Sequence, residues 1–326
     1  MAGSNRQAPW PVLSSMKILV VGQGAIGLLW YAHLLEVAKH SDHISLLTSE
    51  SDDKAISELS FTTRAQEQKT YPLIRATQKD IQAAQLILVC VKSYQVEQVI
   101  AQLNKDINEH ADIILSHNGM GTFEELPTFF VRRHNIFTLL TTHGCKRTAP
   151  FQAIHTGTGV SDFGLLTPGK TSDFKRLIQR LNSALPEVYW HDSIKEKQWL
   201  KLAINCVINP ITAIDNIENA GVLASKYQAR ITGILSELIA LAGMENVILP
   251  DKADLLARVR LVAKNTAKNA SSMRCDVLAG RQTEIDYING YIHRLGQKHG
   301  IATPENTRMW QEVNGLTELK MSAGKP

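Results

Sequence analysis

From Met16 onward a short apolar run, KILVV, is followed by a glycine loop, GQGAIG, an amphipathic stretch, LLWYAHLLEVAKH, and another short apolar run, HISLLT. Strand-length runs separated by helix-length stretches predict a parallel sheet covered by helices. Fully apolar runs follow at LILVCV (86–91), DIIL (112–115) and IFTLL (136–140), and their lack of polar alternation predicts central strands buried on both faces. After Pro150 the texture changes. FQAIHTGTGVSDFGLL predicts a β-ribbon, 172–185 a helix, and Val188 to Trp190 a last edge strand. Beyond Asp192 nearly everything has helical period. The expected organisation is an α/β domain over 16–192, an all-helical domain over 193–326, and a disordered extension over 1–15.

A chain of 326 residues is long enough for two such domains of roughly 130 to 190 residues. With 44% hydrophobic and 20% charged residues it has the composition of a globular protein, which excludes wholesale disorder. A net charge of only +4, from scattered lysines and arginines, argues against nucleic acid as a partner but not against a small anion. Cys90, Cys145, Cys206 and Cys275 are far apart with no CxxC pair, so neither zinc nor a disulfide framework is expected, and a reducing cytoplasm is the simplest home. The first fifteen residues do not read as a signal peptide, and no run of 18 apolar residues predicts a membrane span.

Gly22-Gln23-Gly24-Ala25-Ile26-Gly27 fits GxGxxG between an expected strand and an expected helix, the context in which it binds a dinucleotide. The helix amino terminus then offers N–H groups and a positive dipole end to a pyrophosphate. The second strand ends at Thr48, Ser49 and Glu50. An acid there suits the ribose of NAD and hydroxyl or basic groups suit a 2′-phosphate, so the choice between NAD and NADP stays open. Ligands of parallel sheets lie beyond the strands' carboxyl ends, which singles out Lys92, Asn118 and His143. Taken alone, Lys92 reads as a helix-start lysine directed to solvent. Asn118, followed by glycine, is as much a turn residue as a ligand. His143 reads as a structural histidine, since no carboxylate partner can be named.

In QWLKLAINCVINP, Lys201, Asn205 and Asn209 recur every fourth residue on an otherwise apolar helix, which aligns them in one stripe. Three buried polar groups are costly without partners, which either a neighbouring helix or solvent on the one hand, or a substrate at a domain junction on the other, would supply. Lys201 is the natural proton donor of the stripe, and Pro210, which cannot donate to the Cys206 carbonyl, is expected to bend the helix beside Asn209. Further on, a helix is expected from about Glu284, with Thr283 or Glu284 serving its start, or Glu284 pairing with a buried lysine from the first half of the helical domain.

These segments resemble the ketopantoate 2-reductase family from Met16 to about Glu312. GQGAIG, VKSYQV, SHNGMGTFEEL, WLKLAINCVINPITAI, NASSM, TEIDYINGYI and HGIATPENT carry the resemblance. It implies a Rossmann-type NADP-binding domain and a helical domain like the C-terminal one of 6-phosphogluconate dehydrogenase. It also implies NADPH-dependent reduction of 2-dehydropantoate to (R)-pantoate in pantothenate and coenzyme A biosynthesis. By the same resemblance, Lys201 is the general acid, and Glu284 lies near the cofactor ribose and that lysine. Asn118, Asn205, Asn209, Asn219 and Ser272 contact substrate. Gly22 to Gly27, Lys92, Asn118 and the Cys145 backbone contact the cofactor. The family's arginine at the tip of the second strand is replaced here by Ser49, which leaves Thr48, Ser49, Lys54 and Arg64 as candidates for the 2′-phosphate. A monomer or homodimer without a metal is expected. Two alternatives remain: a reductase of another branched or aromatic 2-keto acid, and a non-catalytic NADP-binding regulator.

Overall fold

The structure is a computed structural model that describes residues 15–49, 55–169 and 174–323. Of the expected extension only Ser15 lies within them, its carbonyl accepting from Arg176 at 3.2 Å. The strands are β1 (Lys17–Val21), β2 (His43–Leu47), β3 (Glu58–Thr62), β4 (Gln68–Pro72), β5 (Leu86–Val89), β6 (Asp112–Leu115), β7 (Asn135–Thr141), β8 (Gly144–Ala149), β9 (Gln152–Gly157), β10 (Ser161–Leu165) and β11 (Val188–Trp190). The helices of the first half are α1 (Ala25–Glu36), α2 (Gln78–Ala83), α3 (Val96–Leu103), α4 (Thr128–Arg133) and α5 (Phe174–Ala184). Those of the second are α6 (Lys195–Ile214), α7 (Gln228–Met244), α8 (Lys252–Asn265), α9 (Ser272–Leu278), α10 (Asn289–His299) and α11 (Pro304–Ala323).

A seven-stranded sheet runs β11-β10-β7-β6-β5-β1-β2. The strands from β7 to β2 are mutually parallel, and β10 is antiparallel to β7. Its inner strands are apolar throughout because helices cover both faces: all four residues of β5 are buried. A second sheet, β4-β3-β9-β8, was not foreseen from the pattern. Four of the five β4 residues are exposed, so β4 carries no alternating apolar signal. The expected ribbon after Pro150 is divided between the two sheets, β9 joining β3 and β10 joining β7.

Helix α1 also differs from expectation. It is buried nearly all round, from Gly27 to Ala32 and at Leu34, rather than amphipathic, because it lies between β8, β9 and β3 of the second sheet and β1, β2 and α5. At the edge of this domain Arg180 of α5 meets Asp42, with Nη1 to Oδ2 at 2.7 Å and Nη2 to Oδ1 at 3.0 Å. The Asp42 oxygens also accept from the N–H groups of Met16 and Lys39, so one buried carboxylate ties α5 to the start of β1.

The second half packs around α6, which touches α7, α8, α9 and α11. Pro210 leaves the Cys206 carbonyl without its helical donor, and the buried Asn289 side chain supplies one at 3.0 Å. Asn289 also donates to Asn306, which donates to the Ile234 carbonyl and to Glu237, so the proline's gap is closed by a network across four helices. The helix expected near Glu284 begins instead at Asn289, after a 3-10 turn over Ile285–Tyr287.

Candidate active site

The glycine loop follows β1 and opens α1. Gly22 has φ +106°, and a Cβ there would lie 2.9 Å from the Cys90 carbonyl oxygen; a Cβ on Gly27 would lie 1.9 Å from that of Gly22. Both glycines are demanded by protein packing. Gly24 is different: its nearest neighbour would be 3.8 Å away, so its missing Cβ leaves space in front of the helix. No side chain caps α1 and no acid stands in its first turn, so its leading N–H groups remain available to an anion. These features fit a pyrophosphate.

Gln23 leaves this loop for the tip of β2. Its Nε2 donates to Ser49 Oγ at 2.8 Å, and the Ser49 N–H donates to its Oε1 at 3.1 Å. Glu50 and Lys54 lie outside the described residues. Arg64 is exposed in the turn between β3 and β4.

At the ends of β5 and β6 the expectations change most. Lys92 does not point to solvent. Its Nζ lies 2.6 Å from Asp276 Oδ2 and 3.5 Å from Glu284 Oε2, both carboxylates arriving from the helical half. Glu284 Oε1 accepts from the Ser93 N–H at 3.1 Å and Oε2 from Asn118 Nδ2 at 3.3 Å, so Glu284 does not cap a helix. Burial pushes its carboxyl up, but Lys92, the Ser93 N–H, His117 and Asn118 outweigh this and hold it below the usual range. Burial likewise pulls Lys92 down, and Glu284 and Asp276 raise it on balance. The same junction is closed by backbone: Met120 N–H donates to the Tyr287 carbonyl at 2.8 Å, and a Cβ on Gly119 would stand 2.3 Å from that oxygen.

Lys201 emerges from α6 opposite the end of β7, its Nζ donating to the Thr141 carbonyl at 3.0 Å. Burial lowers its pKa to about 8, against the opposing pull of Glu284 and Asp162. One and two turns further on, Asn205 is half-buried with an Nδ2 that has no hydrogen-bond partner, and Asn209 is buried. Asn219 donates to Thr266 Oγ1 at 2.9 Å while its buried Oδ1 has no partner. Such orphaned polar atoms are rare in finished interiors and suit a polar ligand. At the start of α9, Ser271 takes the capping role, accepting from Arg274 N–H at 3.0 Å, and leaves Ser272 exposed.

Cys145 lies on β8 with its thiol pushed up to about 12 by burial, so it is protonated at neutral pH. His143 accepts from the Gly159 N–H at 3.2 Å, and burial beside His155 and His33 lowers it to about 4, which suits a neutral structural histidine. Sequence reasoning missed Asp276, which closes the Lys92 cage and accepts from Arg281 at 3.1 Å. Its only signal was a polar residue on the inner side of a very short helix. It also missed Arg75, whose Nη1 donates to Thr48 Oγ1 at 3.0 Å. Among the described residues no cluster of His, Cys, Asp or Glu has the makings of a metal site.

Comparison with known proteins gives two family matches. Residues 18–168 match "Ketopantoate reductase PanE/ApbA" and 193–317 match its C-terminal counterpart. The 2-dehydropantoate 2-reductase of Vibrio cholerae is 35% identical over 93% of this chain and 98% of its own. Among solved structures, a PanE/ApbA family ketopantoate reductase from Ralstonia eutropha JMP134 superposes with a TM-score of 0.82 at 23% identity, covering 94% of this chain and 99% of that one. D-mandelate dehydrogenase in a ternary structure with NADH and anilino(oxo)acetate superposes at 0.84 with 22% identity and the same coverage, a likeness of fold. Two family matches covering most of the chain, with a relative alike along nearly its whole length, place this protein in the ketopantoate reductase family.

Proposed function

We propose that the chain reduces the ketone of 2-dehydropantoate to (R)-pantoate with NADPH, residues 16–192 holding the dinucleotide and 193–326 supplying the acid and the substrate wall. The 35% identity to a 2-dehydropantoate 2-reductase over 93% of the chain supports the substrate. The observation that carries the chemistry is the division of labour among the charged groups at the junction. Glu284 is bonded to Lys92, the Ser93 N–H and Asn118 and held ionised, so it has no proton to give. Lys201, with a pKa near 8, is protonated at neutral pH yet close enough to it to release a proton readily.

The bound reduced nicotinamide supplies the hydride. The glycine loop and the start of α1 hold the pyrophosphate, and Lys92, Asn118 and the Cys145 backbone hold the nicotinamide half. Asn205, Asn209, Asn219 and Ser272 bind the keto acid, with Asn118 beside them, and the Asn205 Nδ2 and Asn219 Oδ1 are polar atoms that the protein leaves unpaired. Lys201 then gives its proton to the C2 oxygen as negative charge develops there. Glu284 acts as a fixed anion that keeps Lys201 protonated to a higher pH than burial alone would allow.

Steady-state consumption of NADPH with ketopantoate, set beside an aromatic 2-keto acid and beside NADH, tests this reading. Preferred turnover of the aromatic acid would replace the substrate, and no turnover of any keto acid would leave a non-catalytic binder. The pH dependence follows in sign from the acid. Reduction needs the protonated lysine, so kcat/KM should be level on the acid side of about 8 and fall as pH rises through it, while pantoate oxidation rises over the same range. Initial rates in both directions between about pH 6 and 10 check this, and parallel profiles would exclude Lys201 as the titrating group.

A further inference from the structure

We infer that Arg75, a residue outside β2, is the guanidinium that receives the adenosine 2′-phosphate and sets the preference for NADPH over NADH. The inference rests on the dinucleotide reading above and deepens it. A dinucleotide whose pyrophosphate lies at the start of α1 brings its adenosine ribose to the carboxyl end of the second strand, and an arginine nearby is what accommodates a 2′-phosphate. Ser49 stands where the family carries that arginine, and it is tied to Gln23 of the glycine loop.

The chain returns to this place 26 residues later. Leu46 N–H donates to the Ile74 carbonyl at 2.8 Å and Ala76 N–H to the Leu46 carbonyl at 2.9 Å, which lays 74–76 parallel to β2 with Arg75 opposite Leu46. From there the half-buried Arg75 side chain reaches the strand's tip. Its Nη1 donates to Thr48 Oγ1 at 3.0 Å, its Nη2 donates to the Ile56 carbonyl at 3.2 Å, and its guanidinium carbon sits 4.8 Å from the centre of the Phe151 ring. A guanidinium stacked on a ring and held by two carbonyl or hydroxyl oxygens is fixed in orientation before any ligand arrives, and its planar fork matches phosphate oxygens. Gln23, Ser49, Thr48 and Arg75 thus form one continuous rim from the glycine loop to a cation.

Calorimetric titration of the full chain with NADP⁺ and NAD⁺, and with adenosine 2′,5′-bisphosphate and 5′-AMP, reads this without turnover. In Arg75→Met the affinity for NADP⁺ and for the bisphosphate should fall on the order of 10- to 100-fold, with NAD⁺ and 5′-AMP nearly unchanged. Arg75→Lys, which keeps the charge and loses the fork, should fall between. Equal weakening of all four ligands would reveal a scaffold role for Arg75 and overturn the assignment, as would a wild type that binds NAD⁺ as tightly as NADP⁺. If Arg75→Met does not fold, an unchanged NADP⁺ to NAD⁺ ratio in Arg75→Lys overturns it instead. A folded wild type that binds none of the four defeats the dinucleotide reading itself, an outcome distinct from bound ligands whose ratio ignores Arg75.

Discussion

Replacing Lys201 with alanine is expected to lower kcat for ketopantoate by about 10²- to 10⁴-fold, the usual contribution of a positioned general acid. The dissociation constant for NADPH should stay close to that of the wild type, because the glycine loop, Gln23 and the N-terminus of α1 lie on the other half of the molecule. The loss should appear mainly in kcat, since the proton is transferred as the alkoxide forms and not when the ketone binds. Lys201→Arg separates charge from proton transfer. A guanidinium keeps the positive charge but holds its proton too tightly to donate it, so this variant should remain slow and lose the pH transition near 8. Substrate-free NADPH titration together with single-turnover rates checks both variants. Near-normal turnover in Lys201→Ala would transfer the acid role to another group.

Arg180→Met is the second large effect, and it concerns stability. The Arg180 and Asp42 side chains are 1% and 0% exposed, so removing the guanidinium strands a carboxylate where water cannot reach it. Breaking a buried pair in this way costs about 3–5 kcal/mol, far more than a surface ion pair. The Asp42 carboxylate, although burial alone would raise it, is held below its usual range by the Lys39 N–H, Arg180 and the Met16 N–H. In the wild type its contribution is therefore present at neutral pH and is lost as pH falls through that depressed value. Urea denaturation at neutral pH should show an earlier midpoint for the transition that involves the sheet domain. The double variant Arg180→Met with Asp42→Asn should recover part of the loss, because it strands no charge. A double variant as unstable as the single would show that packing, not the unpaired carboxylate, dominates.

Much of this architecture is legible one segment at a time. The order of strands and helices around the glycine loop follows from local periodicity, since buried central strands must be apolar on both faces. The Lys201, Asn205 and Asn209 stripe follows from 100° per residue on an apolar helix. The missing donor at Pro210 is equally local. What failed was whatever depends on a surface supplied from elsewhere. The strand β4 buries little of its own, and β3, which buries Leu59 and Phe61, is joined to the rest of its sheet by pairing with β9, some ninety residues away. The helix α1 reads as amphipathic until the second sheet covers its outer side.

The candidate site divides in the same way. The chain by itself determines which residue types stand at the strand ends and on α6, because those positions are set by short-range backbone geometry. Only the tertiary structure decides their states. Lys92 is a solvent-directed lysine in isolation and becomes an ion-paired bridge once Asp276 and Glu284 are brought to it across 184 and 192 residues. Lys201 has an ordinary ammonium group in the unfolded chain and a pKa near 8 in the fold, since desolvation by packed neighbours is the larger influence on it. Arg75 reaches the tip of β2 because 74–76 lies down beside that strand. Backbone periodicity acts over a few residues and can be read along the chain, whereas electrostatic and solvation energies depend on distances in space that sequence separation does not encode.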